Sequence, residues 1–425
     1  MKKEFAIFIV LIGLVVLAGC TDVPVEPGEP VEPVEPVELV EPVELVEVSA
    51  EVRGVVNSNN DFAFDVYSKF KDESGNLFFS PWSISSALAM TYEGARGTTA
   101  DEMREVLHFS DSSLMRPGFA KIQNQINKKE KSYLLSTANA LWAQKEYSFL
   151  SDYFGLIDSY YGGKVTNLDF VNETEESRVT INSWVEEKTN NKIKDLIPQG
   201  LITQDTALVL TNAIYFKGNW LTQFKKENTR EEDFKVSGDE IVSVEMMCAF
   251  GDDYEFKYAE TEKIQVLELP YVDEELSMIV LLPSEGEMDY LEKNLDNQNF
   301  SDWKSNLRMQ EVDVYLPKFK FETKYLMGNV LKEMGMATAF SGGADFSGMT
   351  GQRDLFISEV IHQAFVEVNE EGTEAAAATA VIMAITAVEP YQIPEFKANH
   401  PFIFVIQENE TGSILFIGRV DNPTA

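Results

Sequence analysis

The segment from Glu370 to Pro390 restricts the fold more than any other part of the sequence, because it contains a long run of small side chains. Four consecutive alanines, Ala375 to Ala378, favour a helix by intrinsic propensity. From Thr379 onward the segment is rich in Thr, Val and Ile, whose β-branched side chains favour a strand. The residues alone therefore predict helix and strand with equal weight.

As a strand, the same segment has one face that is small at its leading end and apolar throughout. That face carries Thr373, Ala375, Ala377, Thr379, Val381 and Met383. The other face carries Glu374, Ala376, Ala378, Ala380 and Ile382. Since neither face has a bulky group before Val381, a stretch this narrow could slide between two existing strands without a steric block.

The start of the chain has the pattern of an export signal. Lys2 and Lys3 precede an apolar run of 14 residues, which is too short to cross about 30 Å of hydrocarbon. The run ends in Leu-Ala-Gly-Cys20, which resembles the lipobox of prokaryotic lipoproteins, where the cysteine carries the lipid. We therefore predict a lipoprotein signal peptide at residues 1–19 and lipidation at Cys20. The alternative is a plain secretion signal with an incidental cysteine, and both place the protein outside the cell.

Residues 20–51 form a low-complexity segment in which Glu recurs at every third position from Glu26 to Glu47. A polyproline II helix has three residues per turn, so these glutamates fall on one edge and repel one another. The segment contains no Lys or Arg. These features favour an extended Pro/Glu/Val-rich linker that holds the domain away from the membrane over a ligand-binding role.

Composition excludes several classes of function. With 35 basic and 70 acidic residues the chain has a net charge of −35, so we expect no nucleic-acid partner. The cysteines are Cys20 and Cys248, which cannot form a disulfide framework, and Cys248 lies in an apolar stretch where a buried, inert thiol is expected. No HExxH, CxxC, P-loop, GxGxxG or GxSxG pattern is present. We therefore expect no metal, no cofactor and no enzyme activity.

Residues 52–425 are expected to form one domain, because they contain no second linker and no repeat. Helical patterns come mainly first, at Asn60–Phe70, from a capping box at Thr99 through Leu107, and at Glu175–Ile193. Strand patterns dominate later, in a fully buried strand at 208–216, a half-exposed strand at 312–316, and a hairpin of 401–406 with 413–420. This order indicates an α+β fold.

Six further stretches resemble serpins, the serine protease inhibitor family, in the same order along the chain. They are NLFFSPWSI (76–84), TNAIYFKGNW (211–220), ADFSGM (344–349), HQAFVEVNE (362–370), NHPF (399–402) and FIGRV (416–420). The resemblance covers residues 55–425 and includes the small-residue segment, which is similar to the hinge of inhibitory members. It implies a serpin fold, in which helices surround a large mixed main β-sheet with smaller sheets and an exposed reactive-centre loop.

The resemblance also implies a mechanism of inhibition. A serine protease attacks the loop and forms an acyl-enzyme, after which the hinge inserts into the main sheet and the attached protease is distorted. The hinge residues implied are Glu370, Gly372, Thr373, Glu374, Ala375, Ala376, Ala377, Ala378 and Thr379. Hydrogen bonds gained on insertion nearly cancel the cost of ordering the loop. Apolar burial and strain relief must then drive insertion, which predicts a metastable native state.

Family spacing, counted from Glu370, places the reactive bond at Thr386–Ala387. Counting backward from Asn399 places it nearer Pro390, so both counts leave the position of the bond within residues 385–390. Ile385, Ala387 and Val388 are the alternative reactive residues. Residues 371–396 contain no Lys or Arg, which excludes a trypsin-like target. Small and aliphatic residues around the bond favour an elastase-like or subtilisin-like protease over a chymotrypsin-like one.

Further residues match functional positions of the family. The shutter, a polar cluster beneath the point where the sheet opens, corresponds to Ser80, Ser83, Asn212 and His362, and the breach at the top of the opening corresponds to Trp220. His108 and His400 are expected to be structural. Lys128, Lys129 and Lys131 match the glycosaminoglycan-binding helix of some serpins, but a solvated face is the stronger interpretation in so acidic a chain.

The sequence thus predicts a monomeric, lipid-anchored or secreted inhibitor of serine proteases. The alternative is a non-inhibitory serpin-fold protein that binds a ligand or partner. A proline between Thr373 and Val381 would favour that alternative, and none is present. A surface hydrolase is the third class considered, and no motif supports it.

Overall fold

The computed structural model describes residues 48–110, 112–128, 131–236, 240–251, 254–373 and 393–425. They belong to one compact unit from Val48 to Ala425. The unit begins four residues before the boundary predicted at Val52, because its first helix already starts at Ala50. The predicted signal peptide, Cys20 and the linker up to residue 47 lie outside the described residues. No helix of the described chain is long and apolar enough to span a membrane.

Helices dominate the first half of the unit. In the described part of the chain they are α1 (Ala50–Phe70), α2 (Pro81–Gly94), α3 (Gly97–Val106), α4 (Ser112–Ile126), α5 (Ser151–Tyr160), α6 (Thr174–Lys188), α7 (Met288–Lys293), α8 (Asn297–Ser305), α9 (Gly328–Met334) and α10 (Ser347–Thr350).

Strands dominate the second half. They are β1 (Leu77–Phe79), β2 (Leu134–Gln144), β3 (Lys164–Leu168), β4 (Leu208–Asn219), β5 (Arg230–Lys235), β6 (Ile241–Ala249), β7 (Glu255–Glu260), β8 (Ile264–Pro270), β9 (Leu276–Pro283), β10 (Arg308–Glu311), β11 (Asp313–Pro317), β12 (Phe319–Leu326), β13 (Ile357–Asn369), β14 (Gly372–Thr373), β15 (Glu395–Lys397), β16 (Phe402–Glu408) and β17 (Ile414–Val420).

The main sheet has the strand order β12-β13-β14-β4-β2-β3. It is mixed, since β13 pairs with β4 and β2 with β3 in parallel, whereas the remaining pairs are antiparallel. Its central strand β4 is buried on both faces along Leu208–Phe216, as its apolar sequence predicts. The predicted large mixed sheet is therefore confirmed.

A seven-stranded antiparallel sheet of order β1-β17-β16-β9-β8-β7-β10 packs on the inner face of the main sheet. Aromatic rings form the contact: Phe416 of β17 lies 5.9 Å from Phe216 of β4, and Phe78 of β1 lies 6.4 Å from Phe321 of β12. The predicted C-terminal hairpin is confirmed as β16 and β17. A four-stranded sheet of order β15-β11-β6-β5 completes the strands.

The outer face of the main sheet is covered by α6. Ile181 and Val185 of this helix pack in a separate apolar cluster with Ala138 of β2, Ala213 of β4 and Ile361 of β13. Helix α6 itself contacts β2, and the same cluster contains Ile193, Leu196 and Ile197 of the segment after α6, so α6 and this segment together cover Ala213 and Ile361 on neighbouring strands of the seam. The seam is therefore covered on both faces.

Two helix boundaries differ by several residues from the sequence predictions. Helix α1 starts ten residues before Asn60, and its first half is held by tertiary contacts such as the 2.7 Å hydrogen bond from Ser58 Oγ to the His108 carbonyl. Helix α6 ends at Lys188 rather than Ile193, because Asn190 and Asn191 adopt φ angles of 52° and 59°.

The capping box predicted at Thr99 is wrong. Helix α3 begins at Gly97, and Thr99 Oγ1 instead accepts a 2.9 Å hydrogen bond from the Asp345 backbone N–H. The carboxylate of Glu102 accepts hydrogen bonds from both the backbone and the hydroxyl of Thr338. Both side chains thus tie α3 to a distant segment instead of closing its N-terminus.

Candidate functional site at the opening of the main sheet

The seam between β13 and β4 is open at one end. The two strands pair in parallel from Ile357 with Leu208 to Phe365 with Tyr215. Beyond that point β14 lies between them, and Thr373 pairs with both Val368 of β13 and Gly218 of β4. The first residues of the small-residue segment are therefore strand and not helix, which resolves the ambiguity of the sequence at this end.

Thr373 is buried in the sheet, with 1% of its surface exposed. Its Oγ1 is hydrogen-bonded to the Tyr271 hydroxyl at 2.8 Å, so its side chain points to the inner face. Gly372 precedes it with φ of 153°, and a Cβ added there would lie 2.1 Å from the Gly218 carbonyl oxygen. A glycine is thus required where the chain enters the seam.

Two glutamates anchor the chain just before it enters the sheet. Glu370 Oε1 accepts a 2.9 Å hydrogen bond from Thr229 Oγ1 and lies 3.5 Å from Lys318 Nζ. Burial alone would raise the pKa of Glu370, but its hydrogen bonds and Lys318 outweigh that effect and lower it. Glu371 forms an ion pair with Lys226. The Glu370 carboxylate is therefore ionised and fixed at neutral pH.

Trp220 lies beside this entry point, as the sequence predicts, and is 2% exposed. Its indole N–H donates a 3.0 Å hydrogen bond to the Asn369 carbonyl, and its ring stacks on Tyr271 at 4.7 Å. Its backbone N–H donates to the Glu371 carbonyl at 2.9 Å. Tyr271, which the sequence analysis missed, joins the two predicted parts of the site because it contacts both Trp220 and Thr373.

The four predicted shutter residues meet in one network and are fully buried. The Ser80 backbone N–H donates to His362 Nε2 at 3.0 Å, and His362 Nδ1 is hydrogen-bonded to Asn212 Oδ1. Asn212 Nδ2 in turn donates to Ser83 Oγ at 2.7 Å. Since His362 and Asn212 are partners across the β13–β4 seam, this network fastens the seam at their level.

Asn139 of β2 is a fifth member of the shutter that the sequence analysis missed. Its Oδ1 accepts hydrogen bonds from Asn212 Nδ2 at 2.6 Å and from Ser83 Oγ at 2.9 Å. A single polar residue within the otherwise apolar stretch from Ala138 to Trp142 was the signal for it. With Asn139 the network spans β13, β4, β2 and the start of α2.

The three lysines considered for glycosaminoglycan binding do not form a basic face among the described residues. Lys131 is 8% exposed in its side chain and forms an ion pair with Glu275, while Lys129 lies outside the described residues. A cavity near Lys128 and Lys131 is also lined by Glu274, Glu408 and Glu410. This surface would repel a sulfated polysaccharide.

The remaining predicted residues fall in two groups. Cys248 is a free, buried thiol, and burial raises its pKa, as expected of an inert cysteine. His108 pairs with Asp65 at 2.8 Å, and His400 lies 2.7 Å from the Pro283 carbonyl through Nε2, so both have local structural contacts. The hinge residues from Glu374 to Thr379 and the bond Thr386–Ala387 lie outside the described residues.

His362 couples the shutter to pH. Burial lowers its pKa to about 3, so the imidazole is neutral and its Nε2 accepts from Ser80. In the unfolded chain the imidazole binds its proton near pH 6.5. The contribution of His362 to the free energy of unfolding is therefore fully present above that pH and decreases as the pH falls toward 3. The slope contributed by His362 is about 1.4 kcal/mol per pH unit at most.

We expect His362→Gln to remove that part of the pH dependence. Denaturant unfolding of the intact protein at pH 7.5, 5.5 and 4.5 should show a smaller loss of stability at acidic pH in the variant than in the parent. His400→Gln serves as the control, since its imidazole is partly exposed and bonds to Asn399 and the Pro283 carbonyl, outside the shutter. Equal losses in the parent and His362→Gln would contradict the assignment.

Comparison with known proteins accounts for this architecture. Residues 57–423 match the family model described as Serpin (serine protease inhibitor). Human Serpin B4 is 44% identical over 386 residues, covering 86% of this chain and 98% of that protein. A serpin-like protein of Thermococcus kodakarensis is 44% identical over 372 residues, covering 87% of this chain and 86% of that protein.

Solved structures agree with the sequence comparison. Uncleaved ovalbumin superposes with a TM-score of 0.79 at 33% identity, covering 87% of this chain and all of that chain. Human thyroxine-binding globulin in complex with its hormone gives a TM-score of 0.81 at 31% identity, covering 88% and 100%. The predicted serpin fold is thereby confirmed, and the chain belongs to the serpin family.

Proposed function

We propose that the protein is a suicide-type inhibitor of extracellular serine endopeptidases, which traps the acyl-enzyme by inserting its reactive loop into the main sheet. The observation that carries this proposal is the position of β14. Gly372 and Thr373 already occupy the open end of the seam between β13 and β4. The rest of the segment follows directly in the chain, so further insertion needs only the continued parting of these strands.

The register of β14 supports the proposal. Each residue added after Thr373 would lie one position earlier on both β13 and β4, because β14 is antiparallel to each. Thr379 is six residues after Thr373, and His362 and Asn212 are each six residues before its partners Val368 and Gly218. Thr379 would therefore arrive between the two side chains that now hold the seam closed.

That coincidence has a chemical consequence. Parting the seam breaks the hydrogen bond between His362 Nδ1 and Asn212 Oδ1. Two buried polar groups would then lack partners, which costs about 1–3 kcal/mol each. The Thr379 hydroxyl would reach this level on the inner face, since it has the same parity as Thr373. Its hydroxyl can both donate and accept, so it suits the vacated positions.

The chemical step is supplied by the protease. Its serine Oγ would attack the carbonyl carbon of Thr386, and the bond to Ala387 would break with the amine of Ala387 leaving as the new N-terminus. The Thr386 acyl group then stays on the serine until water attacks it. Insertion of the segment displaces the protease in that interval, and a displacement of about 1 Å already costs two orders of magnitude in rate.

Small and aliphatic residues near the bond favour an elastase-like or subtilisin-like target. Neighbouring positions Ala384, Ile385, Ala387 and Val388 fit a shallow apolar pocket, and residues 371–396 contain no basic side chain for a trypsin-like enzyme. A relative from Xenopus tropicalis named leukocyte elastase inhibitor is 44% identical over 371 residues. The relative's name agrees with the preference read from the loop.

Incubation with a pancreatic elastase tests the proposal directly. We expect a covalent complex that survives denaturing electrophoresis, and intact mass spectrometry of the cleaved loop should place the bond within residues 385–390. The loop-cleaved protein should also unfold at a higher temperature than the intact protein. Clean cleavage without complex and without a rise in melting temperature would instead indicate the non-inhibitory alternative.

Thr373→Arg should turn the inhibitor into a substrate. Thr373 is 1% exposed beside Tyr271, so an arginine there must leave the seam or bury an unpaired charge. The variant should be cleaved at the same bond with little covalent complex, as measured by densitometry of the gel. Thr98→Arg, on the exposed start of α3, is the matched control and should inhibit normally.

Thr379→Val should weaken the cleaved form selectively. Valine has nearly the shape of threonine but cannot bond to His362 or Asn212 in the inserted register. We expect the melting temperature of the cleaved variant to fall by several degrees while that of the intact variant stays within a degree or so. Thr98→Val is the control, and an equal effect on both forms would argue against the register.

We also propose that the mature protein is anchored to the outer cell surface by lipid on Cys20. The Leu-Ala-Gly-Cys20 sequence after an apolar run supports it, and the glutamate-rich linker would supply the distance from the membrane. Expression in a bacterium that processes lipoproteins should yield membrane-bound protein. Cys20→Ser should release it to the soluble fraction, whereas Cys248→Ser, which changes the buried thiol, should not.

A further inference from the structure

A cavity lies where the main sheet has an unpaired strand edge. Strand β3 joins β2 only from Lys164, opposite Ala140, so within the described chain no strand pairs with residues 134–139 on the side away from β4. A cavity of about 250 Å³ occupies this place. The lining residues that matter here are Gln123, Thr137, Asn139, Lys164, Trp184 and Lys188.

The lining is cationic and contains no carboxylate. Lys164 Nζ lies 4.8 Å from the ring centre of Trp142 and 5.2 Å from that of Trp184. Among the described residues Lys164 has no carboxylate hydrogen-bonded to it, and Glu187 acts on it only through its charge, although the chain has 70 acidic residues. Lys188 adds a second ammonium group, and its nearest acidic partner is Glu187 at 3.5 Å on the surface.

The two ammonium groups act on each other. Burial lowers the pKa of Lys164, and the positive charge of Lys188 lowers it further, while Glu187 opposes both. An anion bound between the lysines would reverse this penalty. The amide of Gln123 and the hydroxyl of Thr137 offer further polar atoms at the wall of the cavity, whereas the amide of Asn139 is already engaged with Ser83 and Asn212.

The shape of the cavity is fixed by its surroundings. Gly163 packs so closely that a Cβ added there would lie 2.0 Å from the Met90 sulfur, which holds the turn before β3 in place. The Tyr161 hydroxyl at the wall is already engaged, since it donates to Glu93 Oε1 at 2.8 Å. The charged donors at the cavity are therefore the two lysine ammonium groups, of which Lys188 shares its charge with Glu187 at 3.5 Å.

We propose that this cavity binds a small polyatomic dianion, a phosphate or a short dicarboxylate, between Lys164 of β3 and Lys188 of α6. The oxygens of such an ion accept charge-assisted hydrogen bonds from both ammonium groups. Binding ties α6 to β3 beside Asn139, whose side chain bonds Ser83 and Asn212 in the shutter. The bound ion therefore stabilises the closed form of the main sheet.

Isothermal titration calorimetry and thermal unfolding of the intact protein test the site. The probes are inorganic phosphate and sodium succinate, with sodium chloride at equal ionic strength as the control. We expect one of the two to bind with 1:1 stoichiometry at millimolar concentration or below and to raise the melting temperature. Phosphate alone would identify a phosphate-type site, and succinate alone a dicarboxylate site.

Matched variants locate the binding. Lys164→Met and Lys188→Met keep the length of the side chain and remove its charge, so each should weaken binding by about tenfold or more. Lys69→Met, on the exposed face of α1, removes the same charge elsewhere and should leave binding unchanged. The proposal is overturned if neither probe binds more tightly than chloride, or if all three variants bind equally, which would mean an adventitious ion only.

Discussion

The parallel pairing of β13 with β4 is the interaction on which the rest of the molecule depends. It joins the two halves of the main sheet, β12 and β13 on one side and β4, β2 and β3 on the other. A strand that enters antiparallel to both replaces one parallel ladder by two antiparallel ones, and antiparallel pairing is slightly more stable per residue. In the proposed insertion each added residue would therefore add backbone hydrogen bonds, which would make the closed sheet the less fully bonded of the two arrangements.

The hydrogen bonds that an inserted strand would gain are spread along the whole seam, whereas the bonds that must first break are concentrated at His362 and Asn212. In the proposed mechanism this difference keeps the sheet closed. His362 and Asn212 face each other across the seam, fully buried, and their bonds to Ser80, Ser83 and Asn139 hold four elements together. Opening the seam at this level leaves buried polar groups without partners until the entering strand supplies one. In the proposed mechanism such a cluster would raise the barrier to opening the seam without lowering the free energy of the closed state below that of the inserted state.

Much of this site could be predicted from the sequence, because its residues lie in short stretches with a family pattern. The predicted shutter residues meet, Trp220 lies at the entry, and Thr373 enters the seam. Asn139 and Tyr271 were missed because their roles arise only when distant strands are brought together. The early start of α1 was hidden for the same reason: Gly118 of α4 packs so closely that a Cβ there would lie 2.5 Å from the Glu51 carbonyl oxygen.

The outer apolar cluster beside α6 explains why the even-numbered positions of the segment from Glu370 to Pro390 are small as well. The inner face of the seam requires small residues at Thr373, Ala375 and Ala377, but the even-numbered positions are small as well. In the register of β14, Ala378 would lie beside Ala213, and Ala380 beside Ile361. Both of these neighbours belong to the outer apolar cluster formed with α6 and the segment that follows it. In the proposed insertion the strand would pass beneath the outer apolar cluster as well as over the inner core, and a run of alanines fits both surfaces.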